Sequence, residues 1–379
     1  MSDIAMLQRL PWTILITAIA LMLAGLLGIE RGDDLSGIGQ LRSRQLVWII
    51  LSVPVMFAAI VVPYRRLRPM SYSLFLASLV LLVAVFFTRP INGARCWIPL
   101  GFMNFQPSEL AKLAYILSLA HYLMYRQNYR RFTGLLVPFF LTLVPLGLIL
   151  AEPDLGTALL FMPVLFSMLF ASGARPRHLA FVIMLGIAIS PLLWMKLNPE
   201  QKSRIVSVFR QQDGGATPTG DGFHLHQSKR VLALGGVWGS AVTGMPTDQP
   251  RAYLLPAART DFVFCLIGER YGLIGCAAVF SLYLILFGRG LWIAAATREP
   301  FGRLVAVGIV SLLASQTIIN TGMTVGLMPI TGITLPLMSY GGSSLLFTCL
   351  ALGLLMNIGM RPGYEIASDP FRYSSRGKA

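Results

Sequence analysis

The feature that most constrains this chain is the length of its uncharged stretches. There is no Asp, Glu, Lys or Arg from Leu304 to Met360, and none from Pro11 to Ile29. Since about 20 apolar residues suffice for one helical span, the longer stretch must cross a membrane more than once. Only 12% of the 379 residues are charged, against roughly a quarter in a soluble domain. We therefore predict an all-α integral membrane protein.

Apolar runs between polar segments predict about ten transmembrane helices in one polytopic domain covering residues 1–379. The predicted spans are 12–29, 46–63, 70–88, 108–125, 133–150, 155–172, 178–195, 262–287, 304–325 and 342–360. The connection between the seventh and eighth spans, residues 196–261, is far longer than a usual loop. We expect it to be a long extracytoplasmic loop.

Positively charged residues orient these spans. With the N-terminus inside, the short inside segments contain arginine clusters such as Arg65, Arg66 and Arg68, whereas two short outside loops contain no positive charge. Because Lys and Arg collect in cytoplasmic loops, both termini are predicted to be cytoplasmic. The net charge of +15 follows this topology. No water-facing domain gathers it, so we expect no nucleic-acid partner.

The segment "NTGMTVGLMPITGITLPLMSYGGSS" (320–344) is apolar but rich in glycine and contains two prolines. Both residue types interrupt helices. Irregular backbone at membrane depth is tolerated only where it is buried in protein or lines a watered cavity. The segment therefore predicts a broken helix and a cavity near the start of the last span, on the outer side.

Acidic residues at predicted outer membrane ends or inside spans are candidate functional groups. They are Glu109, Glu152, Asp154, Asp261 and Glu269. An ionisable group in a span costs several kcal/mol, roughly 3 on insertion scales. Asp261 has two interpretations: it, or Thr260, caps the eighth span, or it is a partly desolvated carboxylate whose raised pKa suits it to accept a proton.

Other charged residues near the same membrane face also have two interpretations. Glu109 and Lys112 can form an ordinary ion pair three residues apart, yet a lysine more than a turn into a membrane helix needs a partner or a ligand. Arg95, beside Trp97, is either an anion clamp or an interfacial anchor. Asp154 can cap a helix. The phosphate loop of ATP-binding proteins is absent, so we do not expect ATP hydrolysis.

Five motifs, in order and at the ends of the predicted spans, resemble one known family. They are "QPSELAK" (106–112), "PDLGTA" (153–158), "QSK" (227–229), "LP…RTDFVF" (255–264) and "GLMPITGITLPLMSYGGSSLL" (326–346). Together they resemble the SEDS family (shape, elongation, division and sporulation) of integral-membrane peptidoglycan polymerases. The short tails are more similar to its RodA-like elongation branch than to its FtsW-like division branch.

The resemblance implies a glycosyltransferase on the outer face of the bacterial cytoplasmic membrane, with a role in cell elongation and shape. Its substrate would be lipid II, an undecaprenyl-pyrophosphate-linked disaccharide-pentapeptide. The essential aspartate of the family falls on Asp261. Substrate-binding positions would be Glu109, Lys112, Asp154, Gln227, Ser228 and Lys229. The chain departs from the family pattern at Ala257 and Arg259 and at Glu269-Arg270, which affects loop contacts.

The chemistry of such a transfer needs one base and some positive charge. In an inverting transfer Asp261 would accept the proton of the acceptor's sugar 4-hydroxyl. Arg95 and Lys112, or a divalent cation such as Mg²⁺, would stabilise the departing pyrophosphate. Whether a metal takes part stays open at this point.

Two other functions compete with this prediction. A lipid II flippase would also place ionisable groups in a bundle with broken helices, although the inner loops offer arginines rather than carboxylates. A non-catalytic scaffold of the cell-wall or division machinery would not need Asp261. Besides membrane lipids, the partner implied by the resemblance is a class B penicillin-binding protein, which is a transpeptidase.

Overall fold

The structure is a computed structural model that describes residues 9–37, 39–89, 95–101, 104–125, 132–209, 211, 221–245, 255 and 257–361. Within these residues the chain forms thirteen α-helices and one short antiparallel hairpin. Eight of the described helices are long and apolar enough to cross a membrane. The predicted all-α membrane fold is confirmed.

In chain order the helices are α1 (Trp12–Ser36), α2 (Leu41–Val61), α3 (Leu67–Val85), α4 (Pro107–Tyr125), α5 (Leu136–Ala151), α6 (Leu155–Ser172), α7 (Pro176–Lys196), α8 (Pro199–Phe209), α9 (Asp221–Leu234), α10 (Ser240–Thr243), α11 (Val263–Ala296), α12 (Pro300–Thr324) and α13 (Gly342–Met360). The hairpin consists of β1 (Ile98–Pro99) and β2 (Asn104–Phe105). Helices α8, α9 and α10 lie in the long connection predicted at 196–261.

Helix α11 is longer than its predicted span of 262–287. It continues to Ala296 through a kink at Gly272, whose φ of 66° is outside the helical range. Glycine occupies this left-handed conformation without steric cost. The kink lies against the turn between α9 and α10, since a Cβ at Gly272 would come within 2.3 Å of the Val237 backbone oxygen.

Helix α12 is largely buried and packs against α4, α6 and α11. Helix α13 packs along α2, and α1 packs along α11. The α13–α2 contact needs a very small residue, because a Cβ at Gly353 would lie only 2.4 Å from the Met56 backbone oxygen. Small residues at helix crossings allow such close approach in membranes.

The two ends of the bundle differ in backbone regularity. We call the end that carries β1 and β2 the hairpin end, where the Ser343 hydroxyl donates to the Asn104 backbone oxygen at 2.9 Å. The opposite end we call the Asn357 end. There Asn357 Nδ2 donates to the backbone oxygens of Ala59 and Ile60 at 2.7 and 2.9 Å. The candidate functional residues lie at the hairpin end.

Candidate active site

The segment between α12 and α13, residues 325–341, has no regular helix, as its glycines and prolines predict. It is held in place by Asn320, whose amide donates to the backbone oxygens of Ile333 at 2.7 Å and of Asp261 at 2.8 Å. We call residues 325–341 the broken segment. A single side chain thus ties the broken segment to the turn that carries Asp261.

Asp261 does not cap α11, so the capping interpretation is wrong. The cap residue is Phe262, and no side chain makes the capping hydrogen bond. The Asp261 carboxylate faces the broken segment instead, because a Cβ at Gly332 would lie 3.7 Å from its Oδ2. Gly332 has a φ of +70°, a conformation that favours glycine. The backbone therefore approaches the carboxylate closely, with no side chain between them.

The environment of Asp261 favours its protonated form. Burial raises the pKa of Asp261 to about 6, although a hydrogen bond from Thr260 and the positive charge of Arg204 act in the opposite direction. Burial disfavours the charged form of a carboxyl group because protein solvates it less well than water. A carboxylate with this pKa is mostly ionised near pH 7 and still basic enough to accept a proton.

Asp154 lies on the other side of the broken segment. It caps α6 as predicted, accepting the Thr157 backbone N–H at 3.0 Å. The first turn of α6 touches the broken segment, since a Cβ at Gly156 would lie 2.5 Å from the Thr331 backbone oxygen. Thr331 is the residue next to Gly332. The turn that carries Asp261 and the start of α6 therefore flank the same short stretch of backbone.

A buried ion pair on α4 lies beside Asp154. Lys112 Nζ is 2.8 Å from Glu109 Oε1, and both residues are at most 6% exposed. Burial raises the pKa of Asp154, while the positive charge of Lys112 lowers it. Gln106, one residue before α4, donates to Asp154 Oδ2 at 3.4 Å. The three charged groups form one buried cluster with an excess of negative charge.

Glu152 is a further acid next to this cluster. It is 1% exposed, and neither of its carboxyl oxygens has a hydrogen-bond partner within the described residues. Burial first, and then the charge of Asp154, raise its pKa to about 8. Glu152 is therefore mostly neutral at pH 7 and adds no charge to the cluster.

The motif at 227–229 lies on α9 and contacts the broken segment at its beginning. The Ser228 hydroxyl donates to the Thr324 backbone oxygen at 3.0 Å, and Gln227 is buried. Lys229 Nζ donates to Gln211 Oε1 at 2.8 Å, and Gln211 in turn donates to the Gly326 backbone oxygen at 2.7 Å. This part of the long connection is thus packed onto the bundle.

Arg95 lies apart from these groups. Its guanidinium donates to the Phe86 backbone oxygen at 3.2 Å, and its side chain is exposed. It is at the hairpin end, just before β1. Its hydrogen bond to Phe86 does not connect it to Asp261 or to the ion pair on α4.

Two ion pairs connect α1 to the neighbourhood of Asp261. Arg31 binds Glu269 through two hydrogen bonds of 2.8 and 2.7 Å. Arg259, two residues before Asp261, is 2.8 Å from Asp33. In these pairs the charges of Glu269 and Arg259 are neutralised by Arg31 and Asp33. Neither Glu269 nor Arg259 is therefore paired with Asp261.

The residues that sequence reasoning missed are Asn320 and Arg204. Asn320 fixes the backbone around Asp261, and Arg204 on α8 supplies positive charge to it. Asn320 is a polar residue in an uncharged span, which is a usable signal. Arg204 lies in the long connection, whose charges carry no topological information, so nothing in the sequence pointed to it.

A divalent cation is not supported by the described side chains. No group of three or more His, Cys, Asp or Glu among them could hold a metal ion. Asp154 is used as a helix cap, and Glu109 is paired with Lys112. We derive no step through a metal.

The chain belongs to the FtsW/RodA/SpoVE family of cell cycle proteins, whose sequence profile matches residues 8–362. Its relatives include the probable peptidoglycan glycosyltransferase FtsW of Geobacter metallireducens, 33% identical over 366 residues that cover 94% of this chain and 96% of the relative. The peptidoglycan glycosyltransferase MrdB of Escherichia coli is 33% identical over 350 residues, covering 91% and 92%.

Solved structures agree with this assignment. One is from a study of polymerization and crosslinking by a peptidoglycan synthase complex. It matches with a TM-score of 0.80 and 32% identity, over 94% of this chain and 99% of the other. The rod shape determining protein RodA of Thermus thermophilus matches with a TM-score of 0.70 and 30% identity, over 94% and 98%. The family suggested by the five motifs is confirmed.

Proposed function

We propose that this protein is a peptidoglycan glycosyltransferase that polymerises lipid II into glycan strands. The observation that carries the proposal is the Asp261 carboxylate. It faces the backbone of Gly332, and burial raises its pKa to about 6. A base in this position can accept a proton near neutral pH. Relatives named peptidoglycan glycosyltransferase, similar over more than nine-tenths of the chain, support the same activity.

The proposed location is the bacterial cytoplasmic membrane, with both termini in the cytoplasm. The distribution of arginines between the loops supports this orientation. The hairpin end, with Asp261 and Lys112, then faces outward. Lipid II and membrane lipids would reach the site from the outer leaflet.

In the proposed reaction the 4-hydroxyl of the acceptor sugar attacks the anomeric carbon of the donor sugar. The new glycosidic bond forms as the bond from that carbon to the undecaprenyl pyrophosphate oxygen breaks. Asp261 accepts the hydroxyl proton, and the pyrophosphate leaves with the bonding electron pair. Inversion follows from attack opposite to the leaving group.

Positive charge would stabilise the departing pyrophosphate. Lys112 and Lys229 are the proposed cations, since ammonium groups bind phosphate through charge-assisted hydrogen bonds. Arg95, the other cation predicted from the sequence, lies apart from them, so we do not assign it to the pyrophosphate. Lys112 is buried and paired with Glu109, so we assign Glu109 to positioning Lys112. We also assign Asp154, Gln227 and Ser228 to shaping the substrate site. Asp154 accepts a hydrogen bond from Gln106 beside the ion pair on α4, Gln227 is buried, and the Ser228 hydroxyl donates to the backbone oxygen of Thr324, immediately before the broken segment.

A class B penicillin-binding protein is the proposed partner. A structural neighbour comes from work on a synthase complex in which polymerization is coordinated with crosslinking, and such coordination needs a transpeptidase close to the growing strand. A role in elongation and cell shape is supported by the likeness to the rod shape determining protein. Complementation of an elongation mutant, compared with a division mutant, would test that role.

The test of the activity is a gel of glycan products made from purified lipid II. Asp261→Ala should abolish polymer, a loss of at least about 100-fold, because it removes the proposed base. Asp34→Asn is the matched control, since Asp34 is an exposed aspartate near the C-terminal end of α1. If folded Asp261→Ala made polymer at the wild-type rate, the assignment of Asp261 as the base would be wrong. A wild-type protein that made no polymer would favour the scaffold.

A further inference from the structure

A cavity of about 510 Å³ opens at the hairpin end, between the starts of α2 and α13 and the hairpin. The side chains around it are mixed in character: three aromatic rings, one guanidinium and two small polar groups. Among the described residues these are Trp48, Trp97, Tyr340, Arg44, Asn104 and Ser343. Its size lies within the range of roughly 300–1,000 Å³ typical of small-molecule sites.

The aromatic rings belong to the cavity wall rather than to a lipid-facing belt. Trp48 is directed onto α13, because a Cβ at Gly342 would lie 2.4 Å from its Cε2 atom. Trp97 and Tyr340 are half-buried. Tryptophan often marks the membrane interface, but an interfacial anchor would point away from the protein. Here the Trp48 ring packs against the backbone of Gly342, where any larger residue would collide with it.

Arg44 supplies a positive charge that none of the described residues neutralises. Its side chain is exposed at the cavity, and no hydrogen bond or ion pair joins it to the described residues. By contrast, Arg42 is paired with Glu30 and Arg259 with Asp33. A guanidinium whose donors are not used by the described part of the chain is suited to a carboxylate or phosphate group.

We propose that this cavity binds the saccharide of one of the two substrates, with an anionic group of that substrate on Arg44. The apolar faces of pyranose rings pack on aromatic side chains, and Trp and Tyr also offer a polar group at the ring edge. Asn104 and Ser343 line the same cavity and supply further polar groups to sugar hydroxyls. The inference rests on the proposed function, because a polymerase must hold two saccharides at once.

The cavity is a neighbour of the Asp261 site, and neither Asp261 nor Lys112 lines it. The two are joined by backbone: the Tyr340 N–H donates to the Arg259 oxygen at 3.0 Å, two residues before Asp261. The broken segment thus passes from Gly332, which faces Asp261, to Tyr340 in the cavity wall. A saccharide in the cavity would lie beside the reacting one.

The experiment measures binding without catalysis. The full chain in nanodiscs is titrated with the disaccharide-pentapeptide that lacks lipid and phosphate, and binding is followed by calorimetry and tryptophan fluorescence. We expect saturable binding that weakens at least about tenfold in Arg44→Gln and in Trp48→Leu. Trp12→Leu is the control, because Trp12 is half-exposed at the start of α1. Arg44 is exposed, so its variant should keep the thermal stability of the wild type.

Two further ligands, neutral chitobiose and inorganic pyrophosphate, test which anionic group binds Arg44. Neutral chitobiose should bind more weakly than the disaccharide-pentapeptide and should be insensitive to Arg44→Gln. If inorganic pyrophosphate bound through Arg44 and the disaccharide-pentapeptide did not bind, the cavity would be a phosphate site and the saccharide proposal would be overturned. Binding of the disaccharide-pentapeptide that is unchanged in both variants would overturn it as well.

Failure of the proposed function gives a different result. Asp261→Ala should bind the disaccharide-pentapeptide like the wild type, since Asp261 does not line the cavity. Should wild-type protein bind this probe in the cavity without polymerising lipid II, the function would be wrong and the site would stand. If it polymerises lipid II while Arg44→Gln and Trp48→Leu leave the KM for lipid II unchanged, the cavity assignment alone is wrong.

Discussion

The two ends of the bundle both bury polar groups, yet they use them differently. At the Asn357 end the amide of Asn357 donates to the last carbonyls of α2, and the Tyr64 hydroxyl donates to Glu299. At the hairpin end Asp261 faces irregular backbone and has a raised pKa. The first arrangement holds helices together. The second keeps a carboxylate incompletely solvated, which is the usual condition of a reactive acid or base.

Among the variants that test this difference between the two ends, removal of the buried cation Lys112 on α4 should have the largest effect on stability and activity. Lys112→Met leaves Glu109 buried and unpaired, and breaking such a pair lowers the free energy of unfolding by about 3–5 kcal/mol. Polymer formation should be lost as well. Thermal unfolding in detergent and the product gel measure the two effects.

A double variant separates stability from activity at this pair. Glu109→Gln with Lys112→Met removes both charges, so most of the stability should return. Polymer formation should not return if Lys112 stabilises the pyrophosphate. A double variant with wild-type activity would mean that the pair is structural, like the contacts at the Asn357 end.

Asn357→Leu should have a smaller effect and of a different kind. It removes the side-chain donor of the Ala59 backbone oxygen and one of the two donors of the Ile60 oxygen, which also accepts from Arg361 at 3.3 Å. Loss of such buried hydrogen bonds lowers the free energy of unfolding by about 1–3 kcal/mol. The activity per folded molecule should stay at the wild-type level, because the contacts lie at the end opposite to Asp261. Denaturation curves and active-fraction assays check this. Loss of activity at unchanged stability would erase the distinction between the ends.

The smallest expected effect is a shift in pH dependence. Asp261 must be ionised to accept a proton, so polymerisation should fall as pH drops through about 6, by about tenfold at pH 5. Its native pKa lies above the unfolded value of 3.8. The ionised form therefore destabilises the fold as pH rises from about 4 to 6, and Asp261→Asn should remove that dependence.

Arg204→Gln sharpens the same measurement. The positive charge of Arg204 lowers the pKa of Asp261, so its removal should move the acidic limb of the pH–rate profile to higher pH. Lys202→Gln on the same helix is the comparison variant. A limb that stays at the same pH in Arg204→Gln would show that another group titrates there.

Local patterns predicted the features that depend on neighbours in sequence. The uncharged spans, the broken segment, the Asp154 cap and the Glu109–Lys112 pair all follow from composition or from spacing of three or four residues. The capping interpretation of Asp261 was wrong, because the cap residue is Phe262, one position later, and α11 begins at Val263.

Contacts between distant parts of the chain could not be predicted in this way. Glu269 binds Arg31, which is 238 positions away in the sequence. The amide of Asn320 joins two backbone segments that are far apart in sequence. Partner choice of this kind is fixed by helix packing, which a single sequence does not reveal.

The broken segment contributes to both the Asp261 site and the adjoining cavity. Gly332 faces Asp261, and Tyr340 lines the cavity. For an inhibitor that binds the broken segment, this sharing restricts the substitutions by which the protein could become resistant. A substitution that blocks a drug at one wall also displaces the other through the hydrogen bond from Tyr340 to Arg259. Escape variants should therefore arise on the helices that face the segment, such as α2, sooner than within the segment itself.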